Sequence, residues 1–328
     1  MIVIRLSAQK GLSLVELMIA MVLSLLLIAG VLQVFLSSKV TYNTTSALSR
    51  VQESGRFASE FLSFDLRNTG YKGECLTPIN NISGLTDVRF TLDAGLEAWD
   101  NSESSLPSWF TATDRLAGTD MVLIKHAVNA TGATATATNN TPTTTATIAL
   151  TAASGIPTGT LLVATDPIGC DLFANQSANT ATNVSRATTN EWGHAYANDV
   201  ALLSYQSAVY FIKAGAAGEV PSLWRTRYNT GAAAMPSELM VEGVQNMQLQ
   251  FALGDDNGAI TGEYRDAQDI TDWTKVVSAR FSLLVVSSDT NVLPENQVIS
   301  FNGSDVTIPD RRIAQVFTST IGIRNRLP

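Results

Sequence analysis

The chain has 328 residues, a formal net charge of −8 at pH 7 and only two cysteines. This length is sufficient for a sizeable apolar core, either in one large domain or in two fused sheet units. Binding to nucleic-acid phosphates requires clustered lysine and arginine, so the acidic balance argues against nucleic acid as a partner.

The first predicted element is a helix in the apolar run from Gly11 to Leu36, whose single charged residue is Glu16. Twenty helical residues span roughly 30 Å, which is the thickness of the hydrocarbon core of a bilayer. Arg5 and Lys10 precede the run, and this positive flank predicts a cytoplasmic N-terminus. We therefore expect residues 12–36 to cross a membrane and the rest of the chain to be exported.

The sequence before the apolar run differs from an ordinary secretory signal. Such a signal has an apolar region of about 7–15 residues with the cleavage site behind it. Here Lys10-Gly11, followed by the carboxylate of Glu16, stands in front of the run. This arrangement resembles the class III signal of type IV prepilins. The resemblance implies that residues 1–11 are a leader, that prepilin peptidase cuts between Gly11 and Leu12, and that Leu12 is then N-methylated. A plain membrane anchor is the alternative.

Glu16 is an unusual residue for a bilayer, because an unpaired carboxylate there costs a few kcal/mol. Cleavage after Gly11 would create a free ammonium at the same depth. The resemblance to pilins implies that Glu16 meets the N-terminus of a neighbouring subunit during assembly. The alternative is an interfacial side chain that extends to the lipid headgroups.

Residues 37–70 are predicted to continue the rod as an amphipathic helix that ends near Asn68. Apolar residues recur at spacings of three and four, as on one face of a helix. Gly70 suits a left-handed cap, and Gly55 marks either a bend or a close contact. The residues assigned to the buried face are Ala47, Leu48, Val51, Ala58, Phe61, Leu62 and Leu66.

From residue 71 to residue 328, short apolar runs alternate with Gly, Pro, Asn and Asp, which predicts a β-rich globular domain. Asn302-Gly303 between two runs is a strong hairpin signal. Segments near 129–145 and 175–190 are rich in Ala, Thr and Asn and are expected to form long surface loops that bury little. Strands are expected at Asp120–Lys125, Thr147–Leu150, Thr160–Ala164, Val200–Ser204, Ala208–Lys213, Leu223–Tyr228, Gln248–Leu253, Val277–Val285, Val298–Phe301 and Asp305–Ile308.

The exported sequence contains no recognisable catalytic motif, so neither enzymatic activity nor a cofactor is expected. His126, at the end of a predicted strand, and His194, in a predicted turn, are expected to be structural. Asp255, Asp256 and Asn257 place several side-chain oxygen atoms close together before Gly258. The segment lacks the alternating Asp-x-Asp-x-Asp-Gly order of an EF-hand loop. We expect an ordinary Asp/Asn/Gly turn there, with a calcium site as the alternative.

Cys75 and Cys170 both lie in the exported part of the chain, where an oxidising compartment favours pairing. Two separate buried thiols are the alternative, because the sequence does not show whether the two Cα atoms approach within about 7 Å.

Blocks at both ends of the exported region resemble the PilW family of type IV pilus minor pilins. The resemblance implies an α+β, pilin-like fold in which the long N-terminal helix packs on a mainly antiparallel β-sheet domain with long loops. The family has cysteine pairs near the positions of Cys75 and Cys170, and this resemblance favours a disulfide between them. The family's Asp-rich turn is often longer than residues 255–258, which weakens the argument for a calcium site in this chain. The blocks are residues 47–58, 65–71, 221–225, 241–245, 272–273, 310–312 and 323–328.

The PilW resemblance also implies a function. It points to a minor pilin that helps to initiate pilus assembly at or near the tip, in support of twitching motility or adhesion. The expected partners are other minor pilins, major pilin subunits and prepilin peptidase. The subunit would first lie in the inner membrane with its globular domain in the periplasm, and later in the pilus. A type II secretion pseudopilin and a tip adhesin are the alternatives.

Overall fold

One helix, α1, forms the N-terminal rod and runs from Leu14 to Asn68. Its 55 residues make a length of about 82 Å. The helix ends where the sequence predicts, and Gly70 has a positive φ of 73°. The computed structural model describes residues 13–101, 106–129, 133–137, 139–197, 199–216, 218–230, 235–255 and 257–326.

The described part of the domain that follows contains sixteen strands. They are β1 (Asn80–Asn81), β2 (Leu96–Trp99), β3 (Met121–Asn129), β4 (Thr147–Ala149), β5 (Leu161–Thr165), β6 (Cys170–Ala174), β7 (Asn183–Ser185), β8 (Ala201–Lys213), β9 (Ser222–Arg227), β10 (Glu238–Glu242), β11 (Val244–Gly254), β12 (Ile260–Asp266), β13 (Val276–Val286), β14 (Val298–Phe301), β15 (Ser304–Thr307) and β16 (Ala314–Gly322).

Two sheets dominate the domain. The eight-stranded sheet has the order β1-β6-β5-β8-β3-β2, and β9 and β10 continue from β8. The four-stranded sheet has the order β12-β11-β13-β16, while β4 with β7 and β14 with β15 form two small sheets. Only the short pairing of β1 with β6 is parallel among these described strands. The expectation of a long helix on a mainly antiparallel β domain is therefore confirmed.

The eight-stranded sheet buries both of its faces. In β8, Tyr210 and Ile212 enter one core together with residues of α1 and of the four-stranded sheet. Val209 and Phe211, which alternate with them, enter a second core on the opposite face. Because successive side chains of a strand point to opposite sides, a sheet covered on both faces reads as an almost continuous apolar run.

The second half of α1 packs against β13 and β16 of the four-stranded sheet. A Cβ at Gly55 would lie 2.1 Å from the ring of Phe317 on β16, so the glycine marks a close contact. Phe61 was assigned to the buried face, and this is wrong, because its side chain is exposed. Leu48 is only partly buried. The buried residues of α1 are Ala47, Val51, Gly55, Ala58, Leu62, Asp65 and Leu66.

Several strands differ from the expected ones. The runs Val200–Ser204 and Ala208–Lys213 are one strand, β8, because pairing with β3 continues through Tyr205, Gln206 and Ser207. His126 lies within β3 rather than at its end. Strand β16 was not predicted, since its polar residues give it no clear apolar alternation.

The Ala- and Thr-rich segments bury more than the sequence suggests. Within residues 175–190, β7 pairs with β4, and both contribute to a third apolar core around Phe173 and Trp192. Asn175 is fully buried, and its amide donates to the carbonyl oxygens of Ile156 and Ser177. Backbone polar groups in a buried loop need such partners, and asparagine side chains provide them. Residues 130–132 and 138 of the other segment lie outside the described residues.

Candidate functional site

The N-terminal end of α1 carries a reciprocal cap between Ser13 and Glu16. The Ser13 hydroxyl accepts the Glu16 N–H at 3.2 Å, and the Glu16 carboxylate accepts the Ser13 N–H at 3.3 Å. This is a capping box, and its Ser-x-x-Glu signature was visible in the sequence but was not recognised there. Gly11 and Leu12, the predicted cleavage site, lie outside the described residues. Leu12 directly precedes Ser13, so Glu16 lies within about one helical turn of the predicted mature N-terminus.

The first half of α1 is an apolar surface that no other part of the described chain covers. This helix is long and apolar enough to cross a membrane, and none of its most apolar window is buried. The first residue of α1 that is buried against the domain is Ala47. Residues 14–36 must therefore be covered by lipid or by other helices, because such a continuous apolar surface is unfavourable in water.

Asp65 ties the second half of α1 to the eight-stranded sheet. The Tyr210 hydroxyl donates to its Oδ2 at 2.5 Å, and His126 Nε2 lies 3.4 Å from its Oδ1. Arg225 donates to the Tyr210 oxygen at 3.2 Å and to Glu238 at 2.8 Å, so the polar chain continues from β8 through β9 to β10. Burial acts to raise the pKa of Asp65, but hydrogen bonds from His126 and Tyr210 outweigh it and hold that pKa below 3.8.

The segment after α1 is fastened by a disulfide between Cys75 and Cys170. Their Cα atoms are 5.7 Å apart, although 95 positions separate them in the sequence. Cys170 opens β6, and both cysteines pack in the second apolar core. The alternative of two separate thiols is therefore wrong.

The Asp-rich segment forms an ordinary turn between β11 and β12. Asp255 Oδ1 accepts the N–H groups of Asn257 and Ala259, both at 2.9 Å, and the Asp255 N–H binds the Ala259 carbonyl. These hydrogen bonds stabilise the turn. Asp256 lies outside the described residues. Within the described residues, no cluster of three His, Cys, Asp or Glu side chains is arranged to hold a metal.

The two histidines have separate environments. His126 is buried beside Asp65, as described above. His194 Nε2 lies 2.9 Å from both carboxylate oxygens of the buried Asp166, and the ring packs against Tyr196. Each ring thus has a carboxylate partner within the fold.

Two segments of the chain match known protein families. Residues 209–325 match the PilW family, described as type IV pilus-assembly protein W, and residues 6–32 match the prokaryotic N-terminal methylation motif. Among solved structures, a type IV-like pilin from Thermus thermophilus is similar, with 10% sequence identity and a TM-score of 0.34. The similarity covers 85% of this chain and 98% of that chain, and it is too weak to support an argument about function. A comparison with curated proteins finds no match.

The two family matches fall on structural features described above. The methylation motif includes Glu16 and much of the exposed apolar half of α1. The PilW match begins within β8 and includes the four-stranded sheet on which α1 packs. Type IV pilins in general are processed by prepilin peptidase and assemble with other pilins. Residues 209–325 are therefore similar to the PilW family and residues 6–32 to the N-terminal methylation motif, and the two matches together support the general role of a minor pilin.

Proposed function

We propose that this pilin helps to initiate assembly of a type IV pilus and is located at or near the tip. The observation that carries the proposal is the single continuous helix, apolar and exposed in its first half and buried against the PilW domain in its second half. Such a subunit can leave the membrane only if other helices replace lipid around residues 14–36. Minor and major pilins are partners of this kind.

Before assembly, the subunit would lie in the inner membrane with its globular domain in the periplasm. The positive leader before the apolar run supports this orientation. The Cys75–Cys170 disulfide is consistent with it, since disulfides form in the oxidising periplasm. Assembly would then support twitching motility or adhesion.

Processing is proposed to occur between Gly11 and Leu12, with N-methylation of Leu12. The test is the N-terminal residue and mass of the protein from cells with and without prepilin peptidase. We expect N-methylated Leu12 in the first case and the intact leader in the second. Gly11→Val should leave the precursor uncut, whereas a mature N-terminus after residue 36 would overturn the proposal.

The role in initiation is tested by deleting the chain and counting pili. We expect few or no pili, and recovery when the wild-type chain is supplied again. Normal pili together with a defect in protein secretion would instead favour a type II secretion pseudopilin. Immunogold labelling of sheared pili would locate the subunit, and labelling along the whole shaft would contradict the tip position.

A further inference from the structure

Strand β16 ends the four-stranded sheet and has a free outer edge. Along its inner edge it pairs with β13 through nine consecutive residues and without a register shift. The N–H of Ile323, just after β16, binds the Val277 carbonyl on β13. Hydrogen-bonded and non-hydrogen-bonded pairs alternate in an antiparallel ladder, so the odd-numbered residues of β16 bond to β13. The even-numbered residues therefore direct their N–H and C=O groups outward.

Val316, Thr318 and Thr320 are the outward residues in the middle of this edge. Within the part of the chain that the structure describes, no hydrogen bond reaches their backbone N–H or C=O groups. Both threonine side chains are exposed. A row of unpaired N–H and C=O groups along a strand is a template for pairing with another chain.

The side chain of Gln297 occupies one end of the same edge. Its Nε2 donates to the Ala314 carbonyl at 3.1 Å, and its Oε1 accepts the Ala314 N–H at 2.8 Å. A carboxamide carries the same kinds of donor and acceptor as a peptide group. The first outward residue of β16 is thus already paired with an amide, and the free part of the edge begins at Val316.

The other strands that end the two large sheets are protected against such pairing. Strands β1 and β2 have only two and four residues. Strands β10 and β12 each have a register shift and carry charged side chains, such as Glu242 and Arg265. Short edges, bulges and charges are the usual means by which proteins prevent strand pairing. Strand β16 has nine residues, no register shift, no charged residue and no proline.

A second copy of this chain does not fit the edge. A symmetric dimer would pair two β16 strands antiparallel, around a twofold axis perpendicular to the sheet. Because α1 packs against β13 and β16, this rotation would reverse the direction of α1. The two apolar helix halves would then point away from each other and could not enter the same membrane. The partner is therefore a different protein.

We propose that the outer edge of β16 binds an extended segment of a different protein, which adds to the four-stranded sheet as a fifth strand. Backbone hydrogen bonds supply the affinity in this mode of recognition. The segment covers residues 316–322, so it has about seven residues, with no proline at positions that face β16. Because the edge is uncharged, the segment is uncharged as well and rich in β-branched residues. The proposal goes beyond the proposed function, since the partner need not be a pilin.

The test is hydrogen exchange in the full-length protein in detergent, with and without a probe peptide. The probe is an acetylated and amidated peptide of alternating threonine and valine, about nine residues long. The outward amides of Val316, Thr318 and Thr320 should exchange rapidly in the free protein and about tenfold more slowly with the peptide. The amides of Phe317 and Ser319 bond to β13, so they should exchange slowly in both samples and are the internal control.

A pair of variants at Thr318 tests the same edge. Thr318→Pro removes one outward N–H and places the ring against the partner, without removing a hydrogen bond to β13. Thr318→Val keeps the N–H and is the matched control. Anisotropy of the fluorescently labelled peptide should show about tenfold weaker binding to the proline variant and unchanged binding to the valine variant. Urea unfolding without the peptide checks that both variants are folded.

The natural partner is detected by photo-crosslinking in cells, with benzoylphenylalanine in place of Thr320. We expect an adduct with a different protein, mapped to an extended uncharged segment. Addition of Thr318→Pro should reduce its yield severalfold, whereas addition of Thr318→Val should not. An adduct that forms only with a second copy of this chain would contradict the proposal.

The proposal is also overturned if the peptide protects none of the three outward amides, or if a folded Thr318→Pro variant binds the peptide as tightly as the wild type. The exchange measurement needs no substitution, so it remains decisive if the proline variant unfolds. The proposed function fails separately. Unchanged piliation after deletion of the whole chain would contradict it and would leave strand addition at β16 unaffected.

Discussion

At the scale of single residues, Glu16 combines two roles that a substitution can separate. Its carboxylate caps the first turn of α1 through Ser13, and it is also the proposed partner of the ammonium of Leu12 in a neighbouring subunit. Capping contributes about 1 kcal/mol to a helix. An unpaired charge in lipid costs more, at about 2.5–3.5 kcal/mol on insertion scales.

We expect Glu16→Ala to insert and to be cleaved normally but to be depleted from sheared pili. Insertion becomes easier because the apolar segment loses its only charge. Ser13→Ala is the control, because it removes the hydroxyl cap and keeps the carboxylate. The measurement is the amount of each variant in sheared pili at equal membrane levels. Equal depletion of both variants would indicate that capping, rather than pairing, explains the effect.

A second residue-scale prediction concerns Asp120, which joins the two large sheets. Its carboxylate accepts the N–H of Leu249 on β11 at 2.7 Å and the N–H of Asn101 at 2.8 Å. Burial raises its pKa to about 7, the negative charges of Asp100 and Asp266 add to this rise, and the two N–H donors oppose it.

The sign of the resulting pH dependence follows from proton binding. Between pH 3.8 and about pH 7, the Asp120 carboxyl is protonated in the folded protein but ionised in the unfolded chain. Stability should therefore fall as the pH rises through this window, by up to about 4 kcal/mol, and then level off. Asp65 acts in a separate window, because its lowered pKa contributes stability that is lost only as the pH falls below 3.8.

Asp120→Asn should abolish this decline between about pH 4 and pH 7. The measurement is urea unfolding of the full-length protein in detergent across that range. Asp255→Asn, on an exposed turn, is the control and should keep the wild-type slope. A slope that persists in Asp120→Asn would contradict the assignment.

At the scale of elements, the contact between α1 and β16 depends on the missing side chain of Gly55. An added Cβ would lie 2.1 Å from the Phe317 ring, so either the ring or the helix must move. Gly30 on the same helix has no atom within 4 Å of such a Cβ. Gly30→Ala is therefore a matched control for Gly55→Ala.

Gly55→Ala should destabilise the protein by about 1–3 kcal/mol, as is typical of overpacked contacts. Gly30→Ala should not destabilise it, because alanine favours the helix and meets no neighbour. Urea unfolding of both variants in detergent measures the difference. Adding Phe317→Leu to Gly55→Ala should restore part of the loss, and additive effects of the two changes would argue against the contact.

At the scale of the whole molecule, the disulfide joins the segment after α1 to β6 in the eight-stranded sheet. It closes a loop of 95 positions. The chain-entropy relation gives roughly 4–5 kcal/mol as an upper figure for a loop of this length. Replacing both cysteines by alanine should lower the free energy of unfolding by up to that amount. Urea unfolding with and without reductant measures it, and alkylation of two thiols in the unreduced protein would rule out the bond.

The sequence alone determined the features that depend on local pattern. The apolar run, the end of α1 near Asn68 and the Asn302-Gly303 hairpin all follow from residue type and spacing, because helix periodicity and turn chemistry act over a few residues. Glu16 was identified as a candidate site residue because a lone carboxylate in an apolar helix is costly wherever the chain folds. The sequence favoured a disulfide between Cys75 and Cys170 but did not establish it.

Only the tertiary structure decided which faces are covered. Phe61 matched the apolar periodicity of α1 as well as Leu62 did, yet one is exposed and the other buried, because the globular domain covers only part of the helix. Asp65 was not singled out in the sequence, but in the structure it is buried, and its carboxylate is paired with Tyr210 and His126, which lie more than 50 positions away. Long-range packing of this kind depends on how the two sheets meet α1, and no local pattern specifies that arrangement.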